Sequence, residues 1–184
     1  MFRDNSLVPT EAIRLAALGM LAEEPLRYAE LAGKIRHFTA RIVGPSLELM
    51  GTSLELLRFE GLVEAAEGTG MVDNALLRVT AAGRQALSTL LAAGLRGPNG
   101  EINKLVLALK LRFLHLLPPA ERAEQIGIVA EWLEAEIARL EDLRRADADG
   151  SDLFLGWLDQ DIAQARARLA WLAAQREAGG PERR

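Results

Sequence analysis

The sequence contains no cysteine, which excludes disulfide bonds, thiolate metal sites and a cysteine nucleophile. It also has no long uninterrupted apolar run. The longest, residues 105–117, is broken by Lys110, Arg112 and His115, and charges at such positions make a membrane span costly. Residues 1–7 lack the basic start and apolar stretch of a signal peptide. We therefore expect a cytoplasmic protein with no membrane partner.

An excess of basic residues is absent as well. Lysine and arginine number 22 against 26 aspartate and glutamate, which gives a net charge of −4. This balance excludes a polycation-like binder of nucleic acid, because counterion release requires clustered positive charge. A small basic surface on an acidic protein remains compatible with the composition.

Groups for catalysis or metal binding are scarce. His37 and His115 are the two histidines, and neither has a histidine or carboxylate three or four residues away. The GTG at Gly68–Gly70 lies between two predicted strands and precedes no helix, so it is unlike a phosphate-binding loop. No serine, threonine or lysine lies beside a plausible base. The sequence thus predicts a protein that is not an enzyme and that binds no metal or cofactor.

The first half of the chain alternates helix signals with one hairpin signal. Three helices, two short strands and a fourth helix are predicted, over residues 9–23, 27–37, 46–60, 62–66, 75–79 and 81–93. Ser46 and Thr80 are the predicted N-caps of the third and fourth helices, and Gly61 suits the left-handed position that ends the third. This order is typical of a winged helix-turn-helix domain, which we place at residues 9–95.

The second half is predicted to be entirely helical. Beyond the linker RGPNG at Arg96–Gly100, helices are predicted over residues 101–117, 119–145 and 152–177. The last two carry apolar residues at steps of three and four and should pair as an antiparallel hairpin. We expect a mainly α protein in which a helical dimerisation domain at residues 101–178 follows the winged helix, and residues 179–184 form a frayed tail.

A two-helix hairpin is too thin to bury all of its apolar side chains, so a second copy of the chain is the expected partner. The predicted dimer interface consists of Leu133, Ile137, Leu140, Leu158, Ile162 and Leu169, with Trp132, Trp157 and Trp171. The tryptophans have an alternative role, the lining of an effector cavity between the two copies. Packing in a core or interface is the interpretation we favour, because aromatic side chains dominate interface energetics.

Three stretches of the N-terminal half resemble the DNA-binding domain of the PadR family of bacterial transcription regulators. They are AALGMLAEEPLRYAELAGKI at 16–35, LELLRFEGLVEA at 54–65 and LRVTAAGRQAL at 77–87. In the C-terminal half, the stretch at 104–119 and the ARLAWLAAQ at 167–175 are similar to the longer PadR-type dimerisation domain. The resemblance implies a homodimer that binds an inverted repeat in double-stranded DNA and responds to a small-molecule effector.

A DNA-reading surface is expected on the second and third helices and the hairpin loop. The outward face of the third helix is acidic and apolar, and the loop at 67–74 has no lysine or arginine. We therefore assign DNA contact mainly to the basic segment 27–45. The candidate residues are Arg27, Tyr28, Lys34, Arg36, His37, Arg41, Ser46, Thr52 and Thr69. The alternative is that these basic residues form an ordinary solvated helix face.

The apolar residues Leu49, Leu56 and Phe59 on the outward face of the third helix suggest a second function. If they are exposed, the domain is a degenerate winged helix that binds a protein partner, with weak or no specific DNA binding. If a predicted loop at 38–43 covers them, they are ordinary packing residues.

Overall fold

The computed structural model describes residues 7, 9–43, 50–69, 73–95 and 100–178. It divides into two compact units, Met1–Leu117 and Pro118–Arg184. The elements of the first unit are α1 (Pro9–Glu23), β1 (Leu26–Arg27), α2 (Tyr28–Val43), α3 (Met50–Phe59), β2 (Val63–Glu67), β3 (Leu76–Val79), α4 (Ala81–Ala92), α5 (Glu101–Phe113) and a 3₁₀ turn (Leu114–Leu116). Those of the second are α6 (Pro119–Ala146) and α7 (Asp152–Ala178).

The mainly α winged-helix fold that the sequence predicts is confirmed. Helix α1 lies at the centre of the first unit, where it contacts α2, α3, α4, α5 and β3. Apart from Arg14, every residue from Ala12 to Leu21 is buried, because the sequence there is almost purely apolar. Gly19 lets α5 approach closely, since a Cβ at this position would lie 2.6 Å from the ring of Phe113.

The sheet has three strands rather than the predicted two. Its order is β1-β3-β2, all antiparallel, and Leu26 of β1 pairs with Leu77 of β3. A two-residue strand after a proline has no periodicity to detect, so the sequence does not reveal it. The predicted hairpin and caps are present: Gly61 has φ 72°, and the Thr80 hydroxyl accepts the Gly83 amide at 3.0 Å.

Helix α2 is longer than predicted, and the expected end at His37–Thr39 is wrong. The helix continues to Val43. Thr39 is buried, and its hydroxyl donates to the Ile35 carbonyl at 3.0 Å, so this threonine bonds within the helix instead of ending it. The expected loop at 38–43 is therefore helix.

Helix α5 groups with the N-terminal elements, whereas the sequence-based boundary placed it in the dimerisation domain. Lys110 is one cause, because it is fully buried on α5 and its Nζ donates to the carbonyls of Leu91 and, at 2.6 Å, Ala93 at the end of α4. A cation at this end also complements the helix dipole. Burial lowers the pKa of Lys110 to about 8.

In the second unit, α6 and α7 pack as the predicted antiparallel hairpin. Their shared core contains Ile137, Leu140, Leu158, Ile162 and Ala165, with Phe154 and Leu169 packed against it. Two ion pairs join the helices on the outside, Arg144–Asp159 and Arg166–Glu141, both at 2.6 Å. The hydrogen bond from Arg144 lowers the pKa of Asp159.

Candidate nucleic-acid interface

The basic residues that remain open to a ligand lie on α2. This helix buries Tyr28, Leu31, Ile35 and Thr39 against the first unit, and its 3.6-residue period turns the intervening residues to solvent. Arg36, His37 and Arg41 are exposed there, and none of the three has an ion pair with a residue that the structure describes. We call these three residues the basic α2 surface.

Lys34 lies on the same helix, but its charge is already matched. Its Nζ is 3.0 Å from Glu24 Oε1 and 3.0 Å from Glu30 Oε1. Hydrogen bonds to the two carboxylates raise the pKa of Lys34. A phosphate would have to compete with both carboxylates for this ammonium, so Lys34 is a poorer candidate than its neighbours.

Arg27 on β1 and Thr69 in the hairpin loop are similarly engaged with carboxylates. Arg27 pairs with Glu67 at 3.2 Å. The Thr69 amide and hydroxyl both donate to Asp73 Oδ2, at 2.5 and 2.8 Å, and the Thr69 carbonyl accepts from Arg58. The donors that we expected Thr69 to offer to phosphate are thus used within the loop.

Tyr28 is not placed as a DNA contact. It is 6% exposed and packs in the core, and its amide donates to the Ala75 carbonyl at 3.0 Å. Burial, with a smaller contribution from Glu55, raises the pKa of its hydroxyl. Ser46 and Leu49 lie outside the described residues, as does the side chain of Thr52.

Helix α3 presents an apolar outer end. Leu54 and Leu57 are buried as the helical spacing predicts, while Leu56 is 43% and Phe59 90% exposed. Arg58, which is not among the predicted DNA contacts, pairs with Glu55 at 3.0 Å. Its spacing of three residues from Glu55 is the signal that would have suggested this pair.

The residues of the predicted dimer interface differ in their exposure within one chain. Leu133, Ile137, Leu140, Leu158 and Ile162 are buried within a single chain, and Leu169 is half-buried. Ile137, Leu140, Leu158 and Ile162 belong to the core shared by α6 and α7. The dimer interface stays a prediction. Trp132 is half-buried, whereas Trp157 and Trp171 are 54% and 50% exposed.

A pocket of about 110 Å³ lies beside Arg84 and Ser88, well below the roughly 300 Å³ at which ligand pockets of ordinary size begin. Among the residues in the described ranges, no cluster of histidine and carboxylate side chains is suited to hold a metal. None of the described helices combines the length and apolarity that a membrane crossing requires.

Residues 2–175 match the family model described as "Putative AphA-like transcriptional regulator". The chain belongs to this AphA-like family. Membership confirms the resemblance to PadR-type winged-helix regulators. A search of curated proteins gives no significant match.

Solved structures similar to this AphA-like chain include PadR of Bacillus subtilis, at 15% identity and a TM-score of 0.40 over 96% of this chain and 99% of that one. The same protein in complex with operator DNA aligns at 16% identity and 0.37, covering 91% and 98%. The protein smu.1604c of Streptococcus mutans aligns at 15% and 0.38, covering 88% and 96%. These alignments are too loose to transfer a binding residue or an interface.

Proposed function

We propose that this AphA-like regulator is a cytoplasmic homodimer that binds an inverted-repeat operator through the basic α2 surface and responds to a small-molecule effector. The observation that carries the DNA-binding part is the exposure of Arg36, His37 and Arg41 without carboxylate partners in the described part of an otherwise acidic chain. The effector part is supported only by the resemblance to the PadR family.

The distribution of charge supports this assignment. Arg27, Lys34 and Arg58 each lie against a glutamate, which cancels much of their attraction for a phosphate. Arg36 and Arg41 retain a full positive charge, and arginine can donate two parallel hydrogen bonds to a phosphate. The second helix of a winged helix-turn-helix crosses the DNA backbone, so these contacts would position the domain more than they would read bases.

The test is operator binding by the double variant Arg36→Glu/Arg41→Glu, measured by fluorescence anisotropy on the palindromic DNA upstream of the protein's own operon. We expect binding to be lost on operator and unrelated DNA alike, because the contacts are to phosphates. The charge-matched control, Arg139→Glu/Arg145→Glu, changes two exposed arginines of the second unit whose ion pairs with described residues lie within α6. Unchanged operator affinity in the first variant would refute the assigned surface.

A second candidate function is supported by the exposure of Leu56 and Phe59 on α3. In this case the winged helix binds a protein partner, and the natural chain shows no sequence-specific DNA shift at moderate salt. Leu56→Asp would then abolish partner binding, whereas it would leave nonspecific DNA binding through α2 intact. Specific operator binding by the natural chain decides against this candidate.

A further inference from the structure

The first turn of α2 is anchored by the hairpin that follows α3. Helix α2 begins at Tyr28, and the residue before it, Arg27, has a side chain that can only donate. The first two amides of the helix are therefore satisfied from a distance. The Tyr28 amide donates to the Ala75 carbonyl at 3.0 Å, and the Ala29 amide donates to Asn74 Oδ1 at 2.8 Å. Asn74, which lies 45 residues after Ala29, thus serves as the N-cap of α2.

The backbone at Asn74 has a conformation that suits few residues. Its φ is 49°, in the left-handed region that asparagine, aspartate and glycine enter at lower cost than other residues. Arg27 Nη1 donates to the Asn74 carbonyl at 3.4 Å, and Arg27 Nη2 pairs with Glu67 on β2 at 3.2 Å. The cap of α2 therefore belongs to a turn whose backbone is itself bound to β1.

The same hairpin loop is also bound by α3. Arg58 on α3 donates to the Thr69 carbonyl and, at 3.0 Å, to Glu55. Thr69 in turn donates through its amide and its hydroxyl to Asp73 Oδ2, and Asp73 is the residue before Asn74. A connected series of bonds thus runs from α3 through the loop to the first turn of α2. We call Arg58, Thr69, Asp73 and Asn74 the wing bracket.

The two helices that the wing bracket joins have different tasks in the proposed function. Helix α2 carries Arg36 and Arg41, whose phosphate contacts are the same on any DNA sequence. Helix α3 occupies the place of the recognition helix in the order of elements, and a recognition helix reads the edges of bases. Preference for an operator requires both helices to engage at once. If the angle between them varied, only a fraction of the molecules would be competent for specific binding.

We propose that the wing bracket fixes the angle between α2 and α3, and that Asn74 is a positioning residue for operator selection. This inference rests on the operator binding of the proposed function. Asn74 acts through α2 and requires no contact of its own with DNA. Arg36 and Arg41 lie seven and twelve residues beyond the capped Ala29 amide, about two and three helical turns. Their phosphate contacts should therefore persist without the cap, while the preference for the operator falls.

Two substitutions of Asn74 separate the cap from the backbone conformation. Asn74→Gly keeps the left-handed φ but removes the acceptor, whereas Asn74→Asp keeps an acceptor and tolerates the same φ. The measurement is the ratio of the affinities for operator and for unrelated DNA of equal length, by fluorescence anisotropy. Asn74→Gly should lower this ratio on the order of tenfold, the effect of one lost helix cap. Asn74→Asp should leave the ratio unchanged, because its added negative charge weakens both affinities alike.

Leu87→Val is the control for stability, because it shortens a buried side chain of α4 in the same unit and destabilises the unit to a similar degree. It should leave the ratio of affinities unchanged. Amide exchange measured by NMR should show a faster exchange at Ala29 in Asn74→Gly alone. An unchanged ratio in Asn74→Gly, or an equal fall in Leu87→Val, overturns the positioning role and leaves the proposed function intact. A natural chain that shows no preference for the operator overturns both.

Discussion

The difference in folding stability between the natural chain and the variant Lys110→Met should depend steeply on pH. Lys110 is fully buried and its pKa is lowered to about 8, with burial as the cause. Its ordinary pKa is 10.5, so keeping the charge inside the folded protein costs about 3 kcal/mol at 1.36 kcal/mol per unit.

The direction follows from where the proton is bound. Below about pH 8 the ammonium is charged in both states and the cost is present in full. Between about pH 8 and 10.5 the unfolded chain holds the proton while the folded chain releases it, so folding is favoured as the pH rises. The stability of the natural chain minus that of the variant should increase by roughly 2 to 3 kcal/mol between about pH 7 and 10.

Urea denaturation of both proteins across this range measures the difference, and groups that the two share cancel. Lys104→Met is the matched control, because Lys104 is an exposed lysine on the same helix. A difference that stays flat, or that falls with rising pH, would show that Lys110 is not held as a buried cation.

Three further substitutions test the packing of the first unit, each by thermal unfolding. Gly19→Ala should destabilise it by about 1–2 kcal/mol, because the added methyl meets the Phe113 ring and the overpacking exceeds the gain in helix propensity. Gly33→Ala is its control, since open space surrounds Gly33 within α2, and it should stabilise the protein by about 0.5–1 kcal/mol; a loss there would contradict the assigned helix. Thr80→Ala removes the N-cap of α4 and should cost about 1 kcal/mol.

Features set by neighbouring residues were predictable from the sequence. Thr80 before a helix and Gly61 after one satisfy backbone groups locally, so cap and turn could be placed without knowing the fold. The end of α2 could not be placed in this way, because the Thr39 side chain can bond either to its own helix or to a turn. Tertiary burial decides which of the two forms. Lys110 was also missed, since a lysine in an apolar run usually marks a solvated face.

In the candidate site too, local features were predictable and contacts between distant residues were not. The basic residues of 27–45 are visible in the sequence, but their ion pairs are not. Glu67 reaches Arg27 and Glu24 reaches Lys34 across turns of the fold. Both faces of α7 also follow helical spacing, so periodicity alone did not reveal which face α6 would cover.

The salt dependence of operator binding tests the central claim most directly. Arg36→Gln/Arg41→Gln removes two positive charges from each protomer of the basic α2 surface and four from a dimer. If these arginines contact phosphates, the slope of log affinity against log salt should become shallower by about 3.6. An unchanged slope, with the natural chain still bound specifically to its operator, would contradict the assignment of DNA binding to this surface.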